Sequence, residues 1–177
     1  TGISLMDPVD SAMLFTTDYL MLTVNGVLIL LSYPLILLFE QEFLLVSDTT
    51  LLELADINQP LLRKLAVEAP GSFQHSLQVS NLAEEAARTI GANVNLVRTG
   101  ALYHDIGKIA KPGYFIENQK EGVSPHDNLD PRESSKVIIN HVKNGIILAK
   151  NYKIPVPVID FIRTHHGTST VQYFYRS

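Results

Sequence analysis

Six histidines and one His-Asp pair are the side chains best equipped for chemistry in this 177-residue sequence. The histidines are His75, His104, His126, His141, His165 and His166, and Asp105 follows His104 directly. There is no cysteine, so disulfides, zinc ribbons and thiol nucleophiles are excluded. Metal chemistry would have to run through imidazole nitrogen and carboxylate oxygen, a donor set that suits Mn, Fe, Zn or Mg better than metals favouring thiolate.

The helical registers around these residues carry information. His75 shares a face with Val79, Leu82 and Ala86 and is expected to point inward with that apolar stripe. His104 lies with Val97, Gly100 or Ala101, and Lys108, and the small residues one turn earlier would let a second helix come close. His141 falls with Ser134, Ile138, Gly145 and Leu148, while His165 follows Val158 and Ile162, and His166 follows Ile159 and Ile162. One inward histidine is usually an ordinary buried residue with a hydrogen-bond partner. Four helices that each turn imidazole inward are harder to explain that way, because burying several without partners is costly and shared metal resolves the cost. Asp105 adds a carboxylate able to bridge two cations, and a nitrogen and oxygen set without sulfur favours a catalytic centre with open positions. The candidate ligands are therefore His75, His104, Asp105, His141, His165 and His166. Lys108 follows His104 by four residues and Asp105 by three, so on a helix it projects over the same site. The blander alternative for Lys108 is an exposed cation at a helix end. His126 sits in the polar segment Ser124-Pro125-His126-Asp127 without an apolar register and is left out of the set.

The elements that must position these residues read as all-α, since no run shows a strand's alternation. Pro70-Gly71-Ser72 is a punctuated turn with Ser72 as an expected N-cap, and the helix after it runs to about Ile90. A second helix covers about Asn95 to Ile109, and Gly113 to Leu129 is expected as a long polar loop. Asp130-Pro131 starts a helix that continues to about Asn151, and a final one runs from Pro157 to about His166. Upstream, Tyr19 to Phe39 is a run of 21 residues without a charge, long enough for a membrane-spanning helix. The first Lys or Arg is Arg63, so the positive-inside rule gives no orientation. A net charge of -4 argues against a nucleic-acid polymer as partner. A phosphate-bearing substrate would need positive charge supplied locally.

The order His75, His104-Asp105, His141, His165-His166 resembles the HD superfamily of metal-dependent phosphohydrolases, and His104-Asp105-Ile106-Gly107-Lys108 matches the HD-x-G-K form of its phosphodiesterase branches. Closer resemblance comes from Leu51-Leu52-Glu53-Leu54, Pro60-Leu61-Leu62, Glu68-Ala69-Pro70-Gly71, Tyr114 through Gln119, and His165-His166-Gly167-Thr168-Ser169. These look like the seven-transmembrane-receptor-type HD family, which includes the PgpH-type cyclic-di-AMP phosphodiesterases. The resemblance implies a helical HD bundle at 71–177, a connector at 40–70, a last transmembrane helix at 19–39, a loop at 1–18, and an HD domain on the cytoplasmic side of a bacterial membrane. It also implies two divalent cations, Mn or Fe, bridged by Asp105, with His75 and His104 on one and His141, His165 and His166 on the other. Asp105 and Lys108 would serve catalysis, cyclic-di-AMP would be cleaved to linear 5′-pApA, and an oligomer is compatible with the family. The Gly-Tyr-Pro signature of cyclic-di-GMP enzymes is not found after the double histidine, where Gly167 to Tyr175 reads differently. Other nucleotides, RNA, or a degenerate nucleotide-sensing domain are the alternatives. The family carries one more metal-binding aspartate beyond the double histidine. The chain ends 11 residues after His166, so it is expected to be a fragment with that ligand missing.

Overall fold

Prolines set most of the helix boundaries. In the computed structural model, which describes residues 8–43, 45–119 and 124–167, four of the seven α-helices begin on proline, the position where its missing N–H costs least. These are α1 (Pro8–Phe43), α3 (Pro60–Glu68), α4 (Pro70–Ile90) and α6 (Pro131–Asn151). The others are α2 (Asp48–Leu54), α5 (Val94–Tyr103) and α7 (Val156–Thr164), with Pro157 in the first turn of α7. Among the described residues there is no strand, as expected of an all-α chain.

The chain divides into two compact units, Thr1–Leu45 and Val46–Ser177. In the first, the helix starts well before the charge-free run, so residues 8–18 are helical where a loop is expected. No breaker stands between Pro8 and Asp18 to stop it. The stretch Phe15–Glu40 has 26 residues, is apolar enough to cross a membrane, and contains no buried residue. At 1.5 Å per residue it spans about 39 Å, more than the roughly 30 Å of a bilayer's hydrocarbon core. Two of its hydroxyls are satisfied within the helix. Thr23 donates to the Tyr19 carbonyl at 2.8 Å and Ser32 to the Ile29 carbonyl at 2.7 Å, which removes two polar groups that lipid could not hydrate.

The second unit is built on a core of Leu51, Leu61, Leu62, Leu65, Leu102, Tyr103 and Ile106, closed by Val158 and Ile162 from α7. Four of these leucines come from α2 and α3, in the 40–70 segment, so that segment supplies part of the core around which the histidine-bearing helices pack. Two buried hydroxyls tie α5 to the C-terminal end of α2. Thr99 donates to the Leu51 carbonyl at 3.1 Å and Tyr103 to the Leu54 carbonyl at 3.0 Å. At Gly100, an added Cβ would lie 2.3 Å from the Phe161 ring, so the close approach expected beside His104 is made by α7.

The Asn95–Ile109 helix is shorter than expected. α5 stops at Tyr103, Asp105 takes φ -107° and ψ 12°, and Ile106–Ala110 forms a 3-10 turn. The reason is contact with α6. A Cβ on Gly107 would stand 1.8 Å from the His141 carbonyl oxygen and 2.5 Å from the Gly145 backbone nitrogen, one turn further along α6. The glycine of the HD-x-G-K run is therefore a packing requirement, and a straight continuation of α5 would not bring this backbone onto α6. Gly107→Ala should cost at or above the top of the roughly 1–3 kcal/mol typical of overpacking. Gly113→Ala, which meets open space, should cost far less. Urea midpoints of the two variants test the difference, and equal losses would show that the crossing can adjust.

Candidate metal centre

Asp105 is 3% exposed and its carboxylate is the hub of the site. Its Oδ2 lies 3.1 Å from His104 Nε2 and 4.0 Å from His75 Nε2. Its Oδ1 lies 3.4 Å from His141 Nε2 and 3.6 Å from His165 Nε2. One oxygen thus faces each histidine group. His75, His104 and Asp105 form one set, and His141, His165 and His166 another, with the ligand atoms of each set within 4.8 Å of one another.

Three rings are held by the same local device. His104 Nδ1 donates to the Ala101 carbonyl at 2.7 Å, His165 Nδ1 to the Ile162 carbonyl at 3.0 Å, and His141 Nδ1 to the Ile138 carbonyl. Each carbonyl lies three residues back, for His104 and His165 in the last turn of a helix and for His141 within α6. A carbonyl can only accept, so the proton sits on Nδ1 and Nε2 presents its lone pair to the centre. His141 Nε2 lies 3.2 Å from both His165 Nε2 and His166 Nε2. For His141 and His165, at least, this brings two lone pairs together, an unfavourable arrangement that a shared cation would convert into coordination. The residues therefore fit a divalent cation by the chemistry of their donors.

Electrostatics agree with that use. Burial, followed by the neighbouring His166, pushes the His165 imidazole down to about 4. Burial likewise lowers His141 and His166, so these rings are neutral near pH 7. Burial alone would raise the Asp105 carboxyl, but hydrogen bonds and charge from His104 and Lys108 overcome it and hold Asp105 well below the usual range. For His104, burial works against protonation and Asp105 reverses it, giving a raised value.

Lys108 is on the site, as its spacing suggests, although it projects from a 3-10 turn rather than from α5. Its Nζ lies 2.8 Å from Asp105 Oδ2 and 2.6 Å from Glu117 Oε1, and its side chain is 13% exposed, unlike a solvated lysine at a helix end. Glu117 was missed by the histidine pattern, and its only sequence signal is its place in the Tyr114–Gln119 block. Its Oε1 also accepts from Ser72 Oγ at 2.8 Å. Ser72, expected as an N-cap, lies inside the first turn of α4, which starts two residues earlier. The capping acceptor comes from far along the chain instead. Asn118 Oδ1 accepts from the Ser72 backbone N–H at 3.1 Å, and Asn118 Nδ2 donates to Ser72 Oγ at 2.7 Å. Gly71 permits this contact, since a Cβ there would lie 1.8 Å from the Glu117 carbonyl oxygen. The described residues of the expected polar loop include short 3-10 turns at Pro112–Tyr114, Ile116–Asn118 and Pro125–Asn128.

His75 is at the site but not on the face expected. Its side chain is 47% exposed, and Leu82 of its supposed apolar stripe is 74% exposed. α4 buries Ser72, Ser76, Ser80 and Ala87 instead, because small side chains let it pack closely on its neighbours. His75 therefore reaches Asp105 from the rim. His126 stands apart from both groups, with its Nε2 bonded to the Tyr114 carbonyl at 2.8 Å. Thr168 to Tyr175, used in the sequence comparison, lies outside the described residues.

The family model for the HD domain matches residues 72–173. The chain belongs to the HD-domain family. It is 48% identical over 146 residues to the cyclic-di-AMP phosphodiesterase PgpH of Listeria monocytogenes, covering 82% of this chain and 20% of that protein. Identity to the protein of the same name from Bacillus subtilis is 47% over 137 residues, covering 77% and 19%. The crystal structure of the L. monocytogenes phosphodiesterase PgpH HD domain in complex with cyclic-di-AMP matches with a TM-score of 0.66 and 50% identity, covering 67% of this chain and 56% of that one. The chain spans about a fifth of the length of the two curated relatives.

Two outcomes follow for this HD domain. Asp105→Asn keeps the volume but removes the charge from both oxygens, so Mn²⁺ retained after dialysis should fall at least about tenfold, read by elemental analysis. Retention equal to wild type would remove Asp105 from the ligand set. For metal-free protein, His165 has a folded value near 4 against its ordinary 6.5, so its contribution is complete above 6.5 and is lost as pH falls toward 4. His141 and His166 act in the same direction, and His104, raised, acts oppositely. The melting temperature in EDTA should therefore fall as pH is lowered through that window, and a flat or rising profile would contradict the balance.

Proposed function

We propose that this chain is the HD part of a membrane-anchored phosphodiesterase that hydrolyses cyclic-di-AMP to linear 5′-pApA. The observation that carries the reading is the division of Asp105, one oxygen toward His75 and His104 and the other toward His141 and His165. The relatives named above supply the substrate class. On this reading His75, His104 and Asp105 hold one cation, and Asp105, His141, His165 and His166 hold a second, with Mn or Fe as the expected metals. Two such cations, when bound, would activate a water and polarise the phosphodiester.

The chain's own residues do the rest. Nδ1 bonds to backbone carbonyls keep the three imidazoles from rotating, so no reorganisation is needed when charge develops on the phosphoryl oxygens. Lys108, protonated because Asp105 and Glu117 outweigh its burial, brings a fixed positive charge to a protein of net charge -4. It is placed to stabilise phosphate charge or the leaving oxygen. The span Phe15–Glu40 would be the membrane anchor, with the HD domain at 71–177 on the cytoplasmic side and the 40–70 segment as its connector.

Protein loaded with Mn²⁺ and held in detergent should bind cyclic-di-AMP more tightly than cyclic-di-GMP and convert it to 5′-pApA, resolved by ion-pair chromatography. Asp105→Asn should abolish turnover, and Lys108→Met should lower turnover while retaining metal. Preference for cyclic-di-GMP, a nucleoside triphosphate or RNA would overturn the substrate. Binding without turnover would favour a sensor.

A further inference from the structure

Lys108 and a divalent cation contend for the same oxygen. Asp105 Oδ2 is the atom that faces His104 and His75, and it is also the atom on which Lys108 Nζ rests at 2.8 Å. An ammonium and a divalent cation on one carboxylate oxygen repel each other, and the low dielectric of a buried site strengthens that repulsion. Were Asp105 the sole anionic partner of Lys108, the lysine would resist metal at this position.

Glu117 changes that balance. We propose that Glu117 is a positioning residue that draws the Lys108 ammonium off Asp105 Oδ2, so that metal binding and an oriented lysine can coexist at the centre. The inference rests on the metal-centre reading given above and adds to it a role for a residue outside the ligand set. Glu117 Oε1 lies 2.6 Å from Lys108 Nζ, a shorter contact than the one to Asp105. Its carboxylate is anchored independently of Lys108. Ser72 Oγ donates to it at 2.8 Å, Asn118 next along the chain is clamped to Ser72 by two hydrogen bonds, and the missing side chain of Gly71 lets the turn sit against α4. The Phe115 ring, 4.9 Å from Nζ, offers a further face to the cation. An ammonium has three N–H donors. With Glu117 and Asp105 taking two, one remains for a phosphate oxygen, and when metal withdraws Oδ2, Glu117 keeps the lysine from leaving the site.

The test is a double-mutant cycle read by calorimetric titration with Mn²⁺, without nucleotide. Glu117→Gln keeps the volume and an acceptor for Ser72 but loses the charge that holds Lys108, and it should weaken Mn²⁺ binding by about 10- to 100-fold. Lys108→Met should bind Mn²⁺ at least as well as wild type, and the double variant should match Lys108→Met. Glu117→Asp should recover part of the loss. Wild-type affinity in Glu117→Gln, or the same loss with and without Lys108, would overturn the proposal, the second result assigning Glu117 to holding the turn alone. Melting temperatures separate that case, since a loosened turn lowers them in both backgrounds. Because the titration contains no nucleotide, failure to cleave cyclic-di-AMP would sink the substrate reading and leave this one standing. Cleavage unaltered in rate and metal dependence by Glu117→Gln would do the reverse.

Discussion

A carboxylate buried to 3% exposure cannot stand alone, and the need to surround the Asp105 charge organises the second unit of this chain. Among the described residues, its charged or ionisable partners approach through nitrogen, on His75, His104, Lys108, His141 and His165, and these come from α4, the α5 terminus, the following turn, α6 and the end of α7. Four imidazoles and one ammonium around two oxygens form an arrangement made for charge larger than a single proton supplies. The packing that allows it is close. Gly107 against the His141 carbonyl, Gly145 against Ile162, and Gly100 against Phe161 are places where a methyl group would not fit.

Bonds to nearby backbone carbonyls are what make the arrangement rigid. His104, His141 and His165 each bond a carbonyl three residues back, which fixes both the ring plane and the tautomer with no help from another element. His104 and His165 sit where α5 and α7 end, so their carbonyl acceptors lie in the last turn, where intrahelical partners run out. The same economy appears at the start of α4, where Asn118 satisfies an N–H of the first turn and Glu117 places negative charge near the positive end of the helix. One short turn thus caps a helix and holds Lys108.

The first unit has an apolar exterior. α1 exposes its apolar side chains from Phe15 onward and satisfies Thr23 and Ser32 internally, a pattern that water disfavours and a bilayer requires. HD-domain membership and the likeness to PgpH proteins concern the second unit chiefly, since the family match begins at residue 72.

Much of this was legible in the residues. The all-α class, the helix start at Pro131, the apolar span, and the convergence of His104, Asp105, His141, His165 and His166 follow from periodicity, punctuation and the cost of burying unpartnered imidazole. These are local or compositional constraints, which a sequence states directly. Other features depended on contacts between residues far apart in the chain. Nothing near Ser72 announces that its N–H is capped by Asn118, or that Glu117 meets Lys108, because each bond joins segments whose proximity exists only once α4 and the turns have packed. The break after Tyr103 is of the same kind, since Gly107 leaves the helix to lie on α6. His75 shows the limit in the other direction: its apolar register pointed inward, yet α4 buried serines, because distance of approach rather than hydrophobicity chose the face. The sequence by itself determined which atoms could bind a cation. Only the tertiary structure decided which oxygen of Asp105 each histidine faces and what keeps Lys108 beside it, since those depend on how closely backbones approach.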